Sequence, residues 1–203
     1  MKVAILVGGK GKRLGYTEKP LLNICGKKII ERLINCFLNC DLVIICRDKR
    51  QSKTYSKFSK TLVDEFKYFG PIAGIYTALN YFNDFTLIVG GDMPFVKREV
   101  AEEIYNMAKK LKVDALIPHW KEDKYEPLLA CYSPSALPQL KKGIIKKEKK
   151  IMNVILGLKN IFFYPINELK KIDKNLISFF NINTQEDLRR AEEICSLTDM
   201  EEL

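Results

Sequence analysis

Apolar residues in this chain come in short unbroken runs, separated by stretches that carry a helical repeat. "KVAILV" from Lys2, "DLVIIC" from Asp41, "FTLIVGGD" from Phe85, "VDALIP" from Val113 and "PLLACYS" from Pro127 are runs of strand length. They lack the in–out alternation of a half-solvated sheet, so they predict strands buried on both faces, as in a parallel sheet covered by helices. Between them the apolar positions shift to a period near 3.6. Ile29, Ile30, Leu33, Ile34 and Phe37 form one stripe. Ile72, Ile75, Tyr76 and Leu79 form a second, entered through the Gly-Pro step at Gly70. Val96, Val100, Ile104, Met107 and Leu111 form a third. Each predicts an amphipathic helix. Thr184 followed three residues later by Asp187 reads as a capping box, opening a last helix with Leu188, Ala191 and Ile194 inward. The pattern predicts an α/β chain with a Rossmann-like, doubly wound and mostly parallel sheet, with helices on both faces. No internal repeat or low-complexity linker interrupts the 203 residues, so residues 1–203 are expected to form a single domain.

Open α/β sheets place ligands outside the carboxyl ends of their strands. Three segments fall there: the glycine loop after the first strand, "VDEF" after Thr61-Leu62, and "GGDMPF" from Gly90. The glycine loop sits in "AILVGGKGKRLGYTEKPLL", which sets Lys10, Lys12, Arg13 and Lys19 around Gly8, Gly9, Gly11 and Gly15. Cations so close repel one another unless an anion sits among them. A P-loop is excluded, because Gly11-Lys12 is followed by Arg13 and no glycine stands five residues before Gly11. A dinucleotide fingerprint is excluded too, because Leu14 takes the third glycine position and Pro20 interrupts the chain. What remains is a loop whose backbone N–H groups can cradle phosphate, with Arg13 and Lys19 placed to neutralise a leaving diphosphate. Asp92, directly after an apolar strand, is a carboxylate suited to Mg²⁺, which takes one or two carboxylates and fills its shell with water and phosphate oxygens.

Charge and composition narrow the field further. The net charge of +9 raises nucleic acid as a partner. The densest basic block, Lys141 to Lys150, has no aromatic residues to stack on bases and no helix-turn-helix or RNP-type signature around it. It reads as a solvated face, and no nucleic-acid partner is expected. The first apolar run, Val3 to Val7, is too short for a signal segment or a membrane span. A cytoplasmic protein without a membrane partner is therefore expected. The six cysteines, Cys25, Cys36, Cys40, Cys46, Cys131 and Cys195, show no CxxC spacing and read as free thiols buried as small hydrophobes. The single histidine, His119, is read as the start of a loop with a plain surface role.

"LVGGKGKRLGYTEKPLL", "GPIAG" at Gly70, "GGDMPF" at Gly90 and "FFNINTQEDL" at Phe179 together carry a resemblance spanning almost the whole chain. The chain resembles the molybdenum cofactor guanylyltransferases, within the nucleotidyltransferases of the nucleotide-diphospho-sugar transferase fold. The resemblance implies that Leu6, Val7 and Gly8, with Gly9 beside them, contact GTP through the backbone. It implies that Lys19 binds the nucleotide phosphates with Arg13 assisting, and that Asp64 approaches the nucleotide. Asp92 would serve as nucleotide contact and Mg²⁺ ligand, while Asn181 and Asn183 would face the pterin. The implied reaction is attack by the terminal phosphate of molybdopterin on the α-phosphorus of GTP, with pyrophosphate leaving. Transient contact with other cofactor-biosynthesis proteins goes with that role.

Some positions depart from the family pattern. Val7 stands where alanine is common, Gly91 where cysteine often precedes the aspartate, and Gln185 where proline is usual. Cys46 replaces an asparagine that often contacts the base, which leaves the choice between GTP and CTP open. A sugar-phosphate or phospholactate acceptor and a non-catalytic nucleotide or pterin carrier are the remaining alternatives.

Overall fold

The computed structural model describes residues 1–9, 18–66, 69–121 and 124–201, with 197–201 described by backbone alone. Arg13 lies outside the described residues. The strands are β1 (Lys2–Leu6), β2 (Asn23–Ile24), β3 (Lys27–Lys28), β4 (Asp41–Cys46), β5 (Thr61–Val63), β6 (Thr86–Gly90), β7 (Ala115–Lys121), β8 (Lys124–Tyr125), β9 (Leu129–Tyr132) and β10 (Ile161–Pro165). The helices are α1 (Ile29–Cys36), α2 (Lys49–Tyr55), α3 (Pro71–Phe82), α4 (Arg98–Leu111), α5 (Leu137–Ile145), α6 (Ile151–Ile155) and α7 (Gln185–Glu201).

The main sheet runs β10-β7-β9-β6-β1-β4-β5, with β8 paired to β7. β1 lies between β4 and β6, parallel to both, and β5 continues the parallel run beyond β4. The apolar run at Pro127 becomes β9, which runs antiparallel to β6 and to β7. Direction is the part of that strand the sequence hides, because a strand buried on both faces reads alike either way.

Alternation of side chains along the strands divides the core in two. Val3, Ile5 and Val7 of the first strand segment join Ile44, Cys46, Leu87 and Val89 on one face, against α1, α2, α4 and α7. Ala4, Val43, Ile45 and Ile88 face the other way, against α3, α5 and α6. Full burial of each large aliphatic side chain supplies about 1.5–3 kcal/mol, which is why unbroken apolar runs commit to the sheet centre.

Local chemistry sets the helix starts. The Asp48 carboxylate accepts from Gln51 N at 2.8 Å and caps α2. Gly70, at φ +59°, turns the chain ahead of Pro71, the first residue of α3. Thr184 Oγ1 accepts from Asp187 N at 3.1 Å, and the Asp187 carboxylate accepts from Thr184 N at 2.8 Å, closing the capping box of α7.

Two readings are corrected. Cys25 and Cys195 are joined in a disulfide, with Cα atoms 6.1 Å apart and 170 residues between them in sequence, while Cys36, Cys40, Cys46 and Cys131 are free thiols. Spacing could not reveal this bond, because the fold brings α7 back against the β2–β3 turn. His119 lies within β7 rather than at a loop start, paired in register with Tyr125 and with its ring beside those of Tyr125 and Phe163. The basic block sits on α5 and the turn after it, with Lys141, Lys142, Lys146, Lys147, Lys149 and Lys150 exposed. A Cβ on its one glycine, Gly143, would come within 2.5 Å of Val154, so the glycine there serves close packing of α5 on α6.

Candidate nucleotidyl-transfer site

The carboxyl ends of β1, β4, β5 and β6 point the same way, and the sequence-predicted residues that are described sit at that edge. After β1 the chain runs on through Val7, whose N–H donates to Ile45 O at 3.1 Å. The Gly91 N–H donates to Leu6 O at 3.0 Å, tying the loop after β6 to the end of β1. A Cβ on Gly91 would sit 2.8 Å from Pro20 Cγ, 3.0 Å from Leu6 O and 3.1 Å from Val7 Cγ1. A side chain at this position would have to displace backbone, so glycine allows the three segments to meet.

Lys19 opens a short 3-10 turn with Pro20 buried behind it. Its ammonium donates to Asp92 Oδ2 at 3.0 Å and to Asn183 Oδ1 at 2.7 Å. The two charged side chains are 18% and 25% exposed, low enough to restrict them and high enough for a ligand to reach them. Backbone reinforces the contact, since Ile182 N donates to Asp92 O at 2.9 Å. Residues from the first loop, the central strand and the segment before α7 thus converge, although 73 and 164 positions separate Lys19 from its two partners. Asn181 does not join them; its amide donates to Phe179 O at 3.0 Å and fixes the turn.

Asp64 follows β5 and donates its backbone N–H to Cys46 O at 2.7 Å. Its Oδ1 is buried without a hydrogen-bond partner among the described residues. Desolvation raises its pKa to about 7. A Cβ on Gly8 would lie 4.0 Å from Oδ2, and one on Gly74 of α3 would lie 3.5 Å from Oδ1. A buried carboxylate oxygen with no partner among the described residues, at the carboxyl edge of the sheet, marks Asp64 as a candidate ligand contact.

Cys46, in the expected base-contact position, is fully buried in the core beneath the sheet. Burial pushes its thiol up to about 12. It therefore presents neither a thiolate nor a surface to a base at the sheet edge, and its neighbour Arg47 is the residue of that strand end that reaches the loop.

The sequence reading missed a second network, which holds the glycine loop by its two ends. Arg47 Nη1 donates to Gly9 O at 3.0 Å and Arg47 Nη2 to Glu18 Oε1 at 2.5 Å. Gln51 Nε2 donates to Val7 O at 2.8 Å and to Glu18 Oε2 at 2.7 Å, and Tyr55 OH donates to the same oxygen at 3.3 Å. Gly9 and Glu18 flank the undescribed residues 10–17, so this polar cluster fixes both entry and exit of the loop. The available signal was the Asp48 cap, which sets the α2 face carrying Gln51 and Tyr55.

Among the described residues, no group of three or more His, Cys, Asp and Glu is placed to hold a metal. Asp92 is a single part-exposed carboxylate with Oδ2 engaged by Lys19, which fits a hard cation that completes its shell with water and phosphate. The donor set does not fit a fully protein-ligated metal.

Residues 3–160 match the family model described as the MobA-like NTP transferase domain. The chain is similar to a probable molybdenum cofactor guanylyltransferase of Methanosarcina acetivorans, at 35% identity over 91% of this chain and 86% of the relative. A relative of the same description from Thermococcus gammatolerans is also 35% identical, over 91% of this chain and 95% of its own length. Among solved structures, the molybdopterin-guanine dinucleotide biosynthesis protein A of Archaeoglobus fulgidus superposes with a TM-score of 0.89 at 46% identity, covering 97% of this chain and 99% of that one. The 4-diphosphocytidyl-2C-methyl-D-erythritolsynthase of Anaerococcus prevotii, at 14% identity and a TM-score of 0.66, shares the fold. A lysine–aspartate pair at the edge of a mixed α/β sheet, and a family match over most of the length, lead to one assignment: this chain belongs to the MobA-like NTP transferase family.

Proposed function

We propose that this chain transfers GMP from GTP to the terminal phosphate of molybdopterin, releasing pyrophosphate, as the names of its relatives indicate for them. The observation that carries the reading is the convergence of Lys19, Asp92 and Asn183 at the carboxyl ends of β1 and β6. A phosphate oxygen of the acceptor attacks the α-phosphorus of GTP, forming a new P–O bond as the bond to the pyrophosphate oxygen breaks. The attacking phosphate is already anionic near neutral pH, so no general base is required. That agrees with a site built from cations, backbone donors and carboxylates, with no nucleophile–base pair among the described residues.

Catalysis on this reading is placement plus charge stabilisation. The backbone of Leu6, Val7, Gly8 and Gly9 approaches the nucleotide, Lys19 binds its phosphates, and Arg13 assists from the glycine loop. Asp64 lies on the nucleotide side, where the donors of a base or ribose would satisfy its open oxygen. Asp92 would hold Mg²⁺, which when bound would supply electrostatic stabilisation of phosphate charge. Asn183 positions Lys19 from the acceptor side, with Asn181 shaping that wall. The cytoplasm is the compartment that goes with these substrates; among the described residues, no helix is long and apolar enough to cross a membrane.

The test is pyrophosphate release from each of the four NTPs with Mg²⁺, with and without molybdopterin. Release confined to GTP and dependent on the pterin is expected. Release with CTP instead would move the base preference, and silence with all four would remove the activity.

A further inference from the structure

Beyond the Lys19–Asp92 pair, a second carboxylate lies on the other flank of the sheet edge. Glu126 stands between β8 and β9, in the segment that leads into the neighbour of β6, whereas Asp64 follows β5, separated from β6 by β1 and β4. Its backbone is tied on both sides: Glu126 N donates to Pro118 O at 2.8 Å, Leu129 N donates to Glu126 O at 3.3 Å, and Gly90 N donates to Leu128 O at 2.7 Å. The last of these bonds joins the segment to the strand that carries Asp92.

The Glu126 side chain is half-buried and, among the described residues, accepts one hydrogen bond, from Trp120 Nε1 to Oε1 at 2.7 Å. A carboxylate has about four lone-pair sites, so no described residue occupies Oε2 or the second lone pair of Oε1, and both can serve a ligand. Trp120 is itself locked, edge-on to Phe179 at 6.0 Å between ring centres and with Lys124 Nζ 4.6 Å from its ring centre. Phe179 in turn receives the Asn181 amide, so this wall is continuous with the segment that delivers Asn183 to Lys19. Burial raises the Glu126 carboxyl above the ordinary range, and the Asp92 charge adds to that rise. Neutral N–H donors from a ligand would relieve it.

A fixed carboxylate with acceptor capacity on both oxygens is complementary to a ring N–H beside an exocyclic amine. Guanine and pterin share that edge. Asp64 lies on the flank assigned to the nucleotide, which leaves Glu126 for the acceptor. Resting on the guanylyltransferase reading, we propose that Glu126 recognises the pterin ring of the acceptor by accepting its ring N–H and exocyclic amine, with Trp120 holding the carboxylate in place. Glu126 is thus a specificity residue and Trp120 a positioning residue.

Trp120 is the only tryptophan of the chain, so its fluorescence reports on this wall alone. The experiment titrates the full chain with pterin and with lumazine, which has a carbonyl in place of the exocyclic amine, each without GTP and at saturating GTP. Pterin is expected to quench Trp120, lumazine to bind at least about tenfold more weakly, and Glu126→Gln to weaken pterin by about tenfold or more at unchanged melting temperature. Loss of the pterin signal when GTP saturates would assign the edge to the guanine site and overturn the proposal. Equal binding of pterin and lumazine by the unaltered chain, an absence of pterin quenching, or unaltered pterin binding by Glu126→Gln would each overturn it as well. Pterin discrimination without any GMP transfer would sink the proposed activity while leaving the Glu126 assignment standing; GMP transfer with an unchanged acceptor KM in Glu126→Gln would do the reverse.

Discussion

Replacing Gly91 by alanine adds one methyl group at the point where three segments of the site meet. That methyl would lie 2.8 Å from Pro20 Cγ, 3.0 Å from Leu6 O and 3.1 Å from Val7 Cγ1. Only the last is a side chain with freedom to turn; Leu6 O is backbone, and Pro20 is a buried ring fixed beside Lys19. Overpacking of this kind costs about 1–3 kcal/mol. For a chain of this size that lowers the melting temperature by roughly 2–12 °C. The functional loss should exceed the stability loss, because relief requires Pro20 or Leu6 to move, and Lys19 and the glycine loop move with them. A displacement approaching an ångström at a positioning site costs on the order of a hundredfold in rate. Gly9→Ala is the control for the melting temperature alone, since among the described residues nothing lies within 4 Å of its added Cβ. Differential scanning calorimetry and kcat/KM for pyrophosphate release would read the two effects. Gly91→Ala with native melting temperature and native kcat/KM would refute the packing argument. Cysteine, common at this position in the resembling family, would meet the same neighbours here.

Asp64 gives a pH signature. Its folded pKa, near 7, lies above the ordinary carboxylate value, so between pH 4 and 7 the folded state holds the extra proton and stability falls as pH rises, by at most about 1.4 kcal/mol per unit. Asp64→Asn should flatten the slope of denaturation free energy between pH 5 and 7, and an unchanged slope would contradict the burial argument. The Cys25–Cys195 disulfide closes a separation of 170 residues, for which chain entropy sets an upper contribution of about 5 kcal/mol. Cys25→Ser, or reductant, should lower the melting temperature by up to roughly 10–20 °C, and a shift of less than a degree would show that the staple adds nothing. Lys19→Ala should raise the KM for GTP by about ten- to a hundredfold through loss of a charge-assisted phosphate contact, with steady-state kinetics as the check and an unchanged KM as the contrary result.

Much of the fold was legible because its signals are local. The unbroken apolar runs that became β1, β4 and β6 could be satisfied only at a sheet centre, and the stripe Ile29-Ile30-Leu33-Phe37 only by a helix lying on it. Lys19 and Asp92 stood out because phosphate chemistry demands few residue types beside a glycine loop, and the fold brings the two side chains within 3.0 Å. Partnerships set by crossovers were not. Arg47 and Gln51 acquire their role from Glu18, which reaches them only once β4 lies beside β1. Trp120 and Glu126 depend on the β7–β8 hairpin turning back, and β9 betrays no direction through its own residues. Two cysteines at opposite ends of the chain carry no mark of their bond. Such a bond is uncommon in reducing compartments outside heat-adapted organisms, whose intracellular proteins can be disulfide-rich.

The most direct test of the central claim follows the label of [α-³²P]GTP into a pterin-containing dinucleotide, comparing the unaltered chain with Asp92→Asn. Asp92 is the acceptor of the Lys19 ammonium and the one carboxylate proposed for Mg²⁺. The account predicts label transfer dependent on Mg²⁺ and on molybdopterin, reduced by about a hundredfold or more in Asp92→Asn with the fold intact. Near-native transfer by that variant would contradict it.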